Sequence, residues 1–151
     1  MGFHFGRPLA AAHICGEHAA EGPIGTVSFY PSGCNTLVVA DVHRLPHSNA
    51  PCSSRIFGFH IHEGTSCAGE DFSETKGHFN PCGCEHPFHA GDLPPLFECN
   101  GCAFLAVLTN RFSLSDVIGR TVVIHSQPDD FTSQPSGNSG AKIACGVIRP
   151  V

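Results

Sequence analysis

From Gly64 to Pro95 regular hydrophobic patterning disappears, and histidine, glycine, proline and acidic residues dominate. A structureless stretch of that length is uncommon inside a compact domain and is usually functional where it occurs. It packs poorly by itself, so something other than a core must hold it. Short β-like runs stand on both sides. "LAAAHICGE", "IGTVSFY", "TLVVADVHRL" and "RIFGFHIHE" precede it, and "LFEC", "CAFLAVLTN", "RTVVIH" and "KIACGVI" follow. Turn signals separate them at Gly22-Pro23, Pro31-Ser32-Gly33 and Pro46, and Asn100-Gly101 is a strong two-residue hairpin signal. A second polar loop, "SQPDDFTSQPSGNSG", divides the last two runs, and Ser113 to Ile118 reads as a short helical turn capped by Ser113. Seventeen glycines and twelve prolines spread along the chain favour many tight turns. The expectation is an all-β domain over residues 1–151, an eight-stranded Greek-key β-barrel or immunoglobulin-like sandwich with two long functional loops.

Composition excludes some partners. No run of eighteen apolar residues occurs, and the formal charge of −5 argues against nucleic acid or an anionic membrane surface. The start, "MGFHFGRPLAAAHICG", has no sustained apolar segment behind a charged one, which reads as cytoplasmic. A chain already cleaved of a leader would read the same way, and would then be secreted or periplasmic. Nine cysteines leave at least one thiol unpaired within the chain.

Eleven histidines are the other outlier. In "GFHIHEG" Phe59 and Ile61 point to one face of a strand, and His60 and His62 point to the other. The long loop supplies His78, His86, His89 and Asp92, a donor set that suits tetrahedral zinc. The i, i+3 spacings of His86–His89 and His89–Asp92 let a tight turn bring them onto one ion. His125 ends its strand as His60 and His62 end theirs, so three imidazoles meet at one rim, suited to copper, zinc or nickel. His4, His13, His18, His43 and His47 read as ordinary solvated or hydrogen-bonded histidines.

"GFHIHEG", "GHFNP", "HAGDLP", "GRTVVIH", "PDD" and "GNSGAKIACGVI" resemble the copper–zinc superoxide dismutase family, in its order and at compatible spacing, in the bacterial-type form with a short zinc loop. The resemblance implies His60, His62, His78 and His125 as copper ligands, and His78, His86, His89 and Asp92 as zinc ligands. Asp129 matches a carboxylate that joins a copper histidine to a zinc histidine, here His60 to His86, whereas Asp130 reads as a solvated loop charge. The resemblance also implies a disulfide between Cys67 and Cys145. Cys15, Cys34, Cys52, Cys82, Cys84, Cys99 and Cys102 are left without an assigned role. Cys82/Cys84 and Cys99/Cys102 together imitate a thiolate zinc site, but Cys99 lies seven extended residues beyond Asp92, roughly 20 Å away.

The implied reaction is dismutation of superoxide to dioxygen and hydrogen peroxide, using Cu(2+)/Cu(1+) for the electron and Zn(2+) to hold the loop. The resemblance further implies that His78 bridges the metals and serves as proton donor. Lys142 stands where the family has a channel arginine, keeping the charge without the arginine fork. The expectation is that Lys142 carries most of the local attraction for the superoxide anion. The alternative is a non-catalytic copper/zinc-binding protein of the same fold. The family holds both dimers and monomers, so a homodimer is left open.

Overall fold

The computed structural model describes residues 6–17, 21–53 and 55–151. His4 and His18 lie outside the described residues. Each of the eight β-like runs forms a strand. In chain order they are β1 (Ala10–Gly16), β2 (Gly25–Ser32), β3 (Asn35–Val42), β4 (Ile56–Phe57), β5 (Phe59–His62), β6 (Leu96–Phe97), β7 (Ala103–Thr109), β8 (Thr121–His125), β9 (Lys142–Val147) and β10 (Arg149–Pro150). The fourth run is interrupted at Gly58 into β4 and β5, and β10 follows the eighth. β2 continues through Pro31 and Ser32, which pair with Thr36 and Asn35 of β3, so the turn comes at Gly33 rather than at the proline. At a strand end that β1 no longer pairs, the missing proline N–H costs little.

The main sheet is antiparallel and curled, in the order β5-β8-β9-β1-β2-β3-β7, with β10 also pairing β1. β4 and β6 pair separately. Since β4 runs into β5 and β6 leads by a hairpin into β7, that pair closes the gap between the two ends of the order. The chain crosses over after β3 and again after β7, the Greek-key path expected. At the β6–β7 hairpin, Cys99 and Cys102 exchange N–H···O bonds of 2.7 and 3.0 Å. Asn100 and Gly101 take φ of 52° and 79°, the paired positive values that a type I′ turn requires. Leu114–Val117 forms the expected short helix α1, with the Asp116 carboxylate accepting the Ser113 N–H at 2.8 Å.

Period-2 alternation builds the core. Ala10, Ala12 and Ile14 of β1, Val27 and Phe29 of β2, Val38, Ala40 and Val42 of β3, Phe59 and Ile61 of β5, and Val122 and Ile124 of β8 all face inward and are fully buried. Register pairs Phe59 with Ile124 and Ile61 with Val122. His60 and His62 are left on the other face, where they are also buried, 0% and 2% exposed. The long loop is what covers them.

That loop lies along the edge of β5 that β8 does not occupy. Phe79 N–H donates to Ile61 O at 2.8 Å, Ile61 N–H to Gly91 O at 2.9 Å, and Gly91 N–H to Phe79 O at 2.9 Å. Glu63 and Gly64 donate to Gly77 and Thr75. The loop thus satisfies an edge that would otherwise be open, and it seats Asp92 beside His60 and His78 beside His62. A 3-10 segment at Glu70–Thr75 is its one regular piece among the described residues. The Cys67–Cys145 disulfide pins its start to β9.

Candidate metal centre

Six imidazoles and a carboxylate gather where the loop crosses β5 and the end of β8. Their donor atoms fall into two groups, His60, His62, His78 and His125, and His78, His86, His89 and Asp92, each within 4.8 Å mutually. His78 belongs to both. Its ring centroid is 4.0 Å from that of His60, 4.9 Å from His62, 5.5 Å from His89 and 5.6 Å from His86. All seven side chains are buried. A bulge between Ile124 and His125 turns the last residue of β8 toward the group, in register with Lys142.

Hydrogen bonds on the outer side of each ring fix which nitrogen faces inward. His62 Nδ1 donates to Lys76 O at 2.9 Å, and His125 Nδ1 donates to Gly140 O at 3.4 Å. Carbonyls only accept, so the proton of each neutral ring sits on Nδ1 and Nε2 carries a lone pair. Those two Nε2 atoms stand 3.1 Å apart. Burial holds His62 well below the usual imidazole range and His125 down at about 3, so no proton is available to sit between them. Two opposed lone pairs at that distance call for a cation.

Asp129 performs the same sorting for two more rings. Its Oδ2 accepts His60 Nε2–H at 2.7 Å and its Oδ1 accepts His86 Nε2–H at 2.8 Å. His60 Nδ1 and His86 Nδ1 are left buried and without hydrogen bonds, as is His78 Nε2. Burial lowers the His60 pKa to about 4, against the opposing effect of its hydrogen bond to Asp129. Although burial would raise Asp129, the bonds from His60, Phe131 N–H and His86 outweigh it and hold the carboxyl well down.

In the second group His86 Nδ1 lies 3.1 Å and His89 Nδ1 3.3 Å from Asp92 Oδ2. His89 Nδ1 is 3.4 Å from His78 Nδ1. Donors on a tetrahedral ion with bonds of about 2.0–2.1 Å are about 3.3–3.4 Å apart. Apart from the His78 Nδ1–Asp92 Oδ1 contact of 2.7 Å, the spacing already has that size. Orphaned nitrogens, facing lone pairs and tetrahedral spacing together fit two metal ions sharing one imidazole. Among the described residues, no thiol joins either group.

Comparison with known proteins follows the same line. The sequence pattern of the family described as copper/zinc superoxide dismutase matches residues 24–148. The chain belongs to the copper/zinc superoxide dismutase family. It is 42% identical over 141 residues to superoxide dismutase [Cu-Zn] 2 of Aquifex aeolicus, spanning 83% of this chain and 79% of that one. To superoxide dismutase [Cu-Zn] of Deinococcus radiodurans it is 34% identical, across 97% and 87% of the two chains. Among solved structures, a superoxide dismutase-like protein from Bacillus subtilis superposes with a TM-score of 0.74 at 30% identity, over 90% of this chain and 95% of that one. Copper and zinc are the metals of this family, and the two donor sets suit them.

In this member of the family the disulfide pairs Cys67 with Cys145, as the resemblance implies. Cys15, Cys34, Cys52, Cys82, Cys84, Cys99 and Cys102 are free thiols. His13 and His43 are exposed, and His47 bonds Glu98 at 2.8 Å, away from the metal groups. Asp130 is exposed and organises its own turn, accepting Thr132 N–H at 2.9 Å and Ser133 N–H at 2.8 Å.

Lys142 reaches the site, where a cavity of about 210 Å³ is lined by Lys76, Lys142, His62, His78 and His125. Burial draws its pKa down. Sequence reasoning overlooked three residues here. Arg111 Nη1 donates to the carbonyls of Pro87, His89 and Asp92 at 2.9, 3.3 and 3.3 Å, gripping the zinc-loop turn from behind. Gln134 accepts His86 N–H at 3.0 Å and donates to His86 O at 2.8 Å, so its amide copies a strand pairing. Lys76 is the third. Only its position two residues before His78 hinted at it.

Proposed function

We propose that the chain dismutates superoxide, with copper held by His60 Nδ1, His62 Nε2, His78 Nε2 and His125 Nε2, and zinc by His78 Nδ1, His86 Nδ1, His89 Nδ1 and Asp92. Copper, when held there, would supply the one-electron redox chemistry that dismutation needs, whereas zinc has no such valence change. The protein's part is to bind, orient and move protons. His60, His62 and His125 are turned by Asp129, Lys76 O and Gly140 O so that one nitrogen of each faces the same point. His78 lines the cavity, and its Nε2, buried and without a protein partner, is the atom that would carry a proton to the reduced anion whenever copper does not hold it. Asp92 keeps the other side of that ring, Nδ1, oriented. Lys142 adds fixed positive charge beside the ligands of a molecule whose formal charge is −5.

The observation that carries this reading is His78 standing in both donor groups. A shared imidazole between a redox ion and a closed-shell one has no use in simple storage. The test loads the protein with copper and zinc, measures both by elemental analysis, and follows superoxide decay before and after. The reading predicts a catalysed decay that is first order in loaded protein and falls to the spontaneous rate without copper. Spontaneous decay at full occupancy would overturn it in favour of the non-catalytic metal-binding alternative.

A further inference from the structure

The chain contains two lysines, Lys76 and Lys142. Both line the cavity that opens on His62, His78 and His125, and among the described residues no carboxylate lines it. The acids of the 63–74 segment, Glu63, Glu70, Asp71 and Glu74, are exposed and stand outside the lining, as do Asp129, which is bonded to His60 and His86, and Asp130, which is bonded within its own turn. Both residues of this type therefore border one opening of a protein whose net formal charge is −5.

They are held in opposite ways. Lys142 Nζ donates to Thr75 Oγ1 at 2.7 Å, Lys76 O at 3.1 Å and Phe72 O at 3.5 Å. An ammonium has three donors, so all are committed to the 72–76 segment. Lys76 has a fixed backbone and a free head. Its carbonyl accepts both His62 Nδ1–H and Lys142 Nζ–H, and its N–H donates to Ser73 O at 3.2 Å. Its side chain is exposed, and its ammonium has no hydrogen bond or ion pair with any described residue. The residue sits at φ 61°, ψ −145°, a conformation that favours glycine. Such strain persists where the surroundings over-determine it, commonly at functional sites.

We propose that Lys76 captures the anionic substrate at the cavity mouth, while Lys142 is a positioning residue that holds the Lys76 backbone and the His62 ring through one shared carbonyl. The inference rests on the dismutase reading above and reassigns within it the attraction expected of Lys142. An uncommitted ammonium can shed water and donate to an arriving anion. A saturated one acts on the anion only through its field.

The test compares Lys76→Gln, Lys76→Arg and Lys142→Gln with the parent, all loaded with copper and zinc. Three quantities are read: the superoxide rate constant against ionic strength, the dissociation constant of azide followed optically, and the copper electron paramagnetic resonance spectrum. Lys76→Gln is expected to lower the low-salt rate about threefold, with the deficit gone by about 0.5 M salt as screening becomes complete. Azide binding should weaken by a similar factor, the copper spectrum should match the parent, and Lys76→Arg should restore rate and affinity. Lys142→Gln should change the copper spectrum, because the carbonyl that orients His62 loses its second donor. A Lys76→Gln enzyme with parental low-salt rate and azide affinity overturns the proposal, as does a deficit that persists at high salt. Were the loaded parent inactive, the dismutase reading would fail, and the azide titration would still decide the place of Lys76 in anion capture.

Discussion

Asp129 holds two rings with one carboxylate, His60 through Oδ2 and His86 through Oδ1. Partners that orient metal-binding histidines are worth about 10–100-fold in metal affinity. Asp129→Ala is therefore expected to weaken both copper and zinc retention by about that factor in chelator competition; unchanged affinity for both would refute the role. The same burial that sorts the ring nitrogens makes the metal-free site sensitive to acid. His60 titrates at about 4 and His125 at about 3 when folded, against roughly 6.5 in an unfolded chain. Between those values the unfolded chain binds protons that the native site excludes, so stability is complete above about pH 6.5 and is lost as pH falls toward 4. Each imidazole adds a slope of about 1.4 kcal/mol per pH unit in that window. Urea midpoints of metal-free protein should accordingly drop from pH 7 to pH 5, and a flat profile would contradict the account.

Two loops and the strand edge between them make the site, and their stability depends on contacts with no local signature. The strands, the Asn100-Gly101 hairpin and the alternation of Phe59 and Ile61 with His60 and His62 were legible because neighbours in sequence cause them. The residues of the two donor groups were legible because their spacing is a chemical pattern, whereas the sharing of His78 between them came from the family resemblance. Arg111 was not: it grips carbonyls at Pro87, His89 and Asp92, and any arginine near a turn looks the same in sequence. Gln134 reaches His86 across 48 residues. Lys76 gave no clue to the cavity it lines beyond its place two residues before His78, since the segment around it lacks a regular pattern. Gly137 is equally silent in sequence. It has φ 69°, and a Cβ there would collide with the Asp129 carboxylate and come within 2.6 Å of His86 Nε2. Gly137→Ala should thus break the Asp129–His86 contact and speed zinc release to a chromophoric chelator about tenfold or more. Arg111→Ala should speed it as well, with backbone carbonyls of the zinc turn left unpaired; parental release rates in both would show the loop to be held otherwise.

Across the whole molecule, the loop and strand β9 of the main sheet are tied together by one covalent link spanning 78 residues. Chain-entropy arguments put its contribution at about 4–5 kcal/mol. A Cys67→Ser/Cys145→Ser variant should lose up to that amount in denaturant unfolding of the metal-free protein, and a loss under about 1 kcal/mol would show that the barrel itself already positions the loop. The fold thus divides its work: inward residues of the strands make the core, and the loop laid on the β5 edge makes a second, polar interior that ions complete. Anomalous diffraction from crystals loaded with both metals, recorded at the copper and zinc absorption edges, tests this most directly. The account predicts a copper peak contacted by His78 Nε2 and a separate zinc peak contacted by His78 Nδ1. Both edges peaking at a single position, or two ions with the His78 ring touching only one of them, would contradict it.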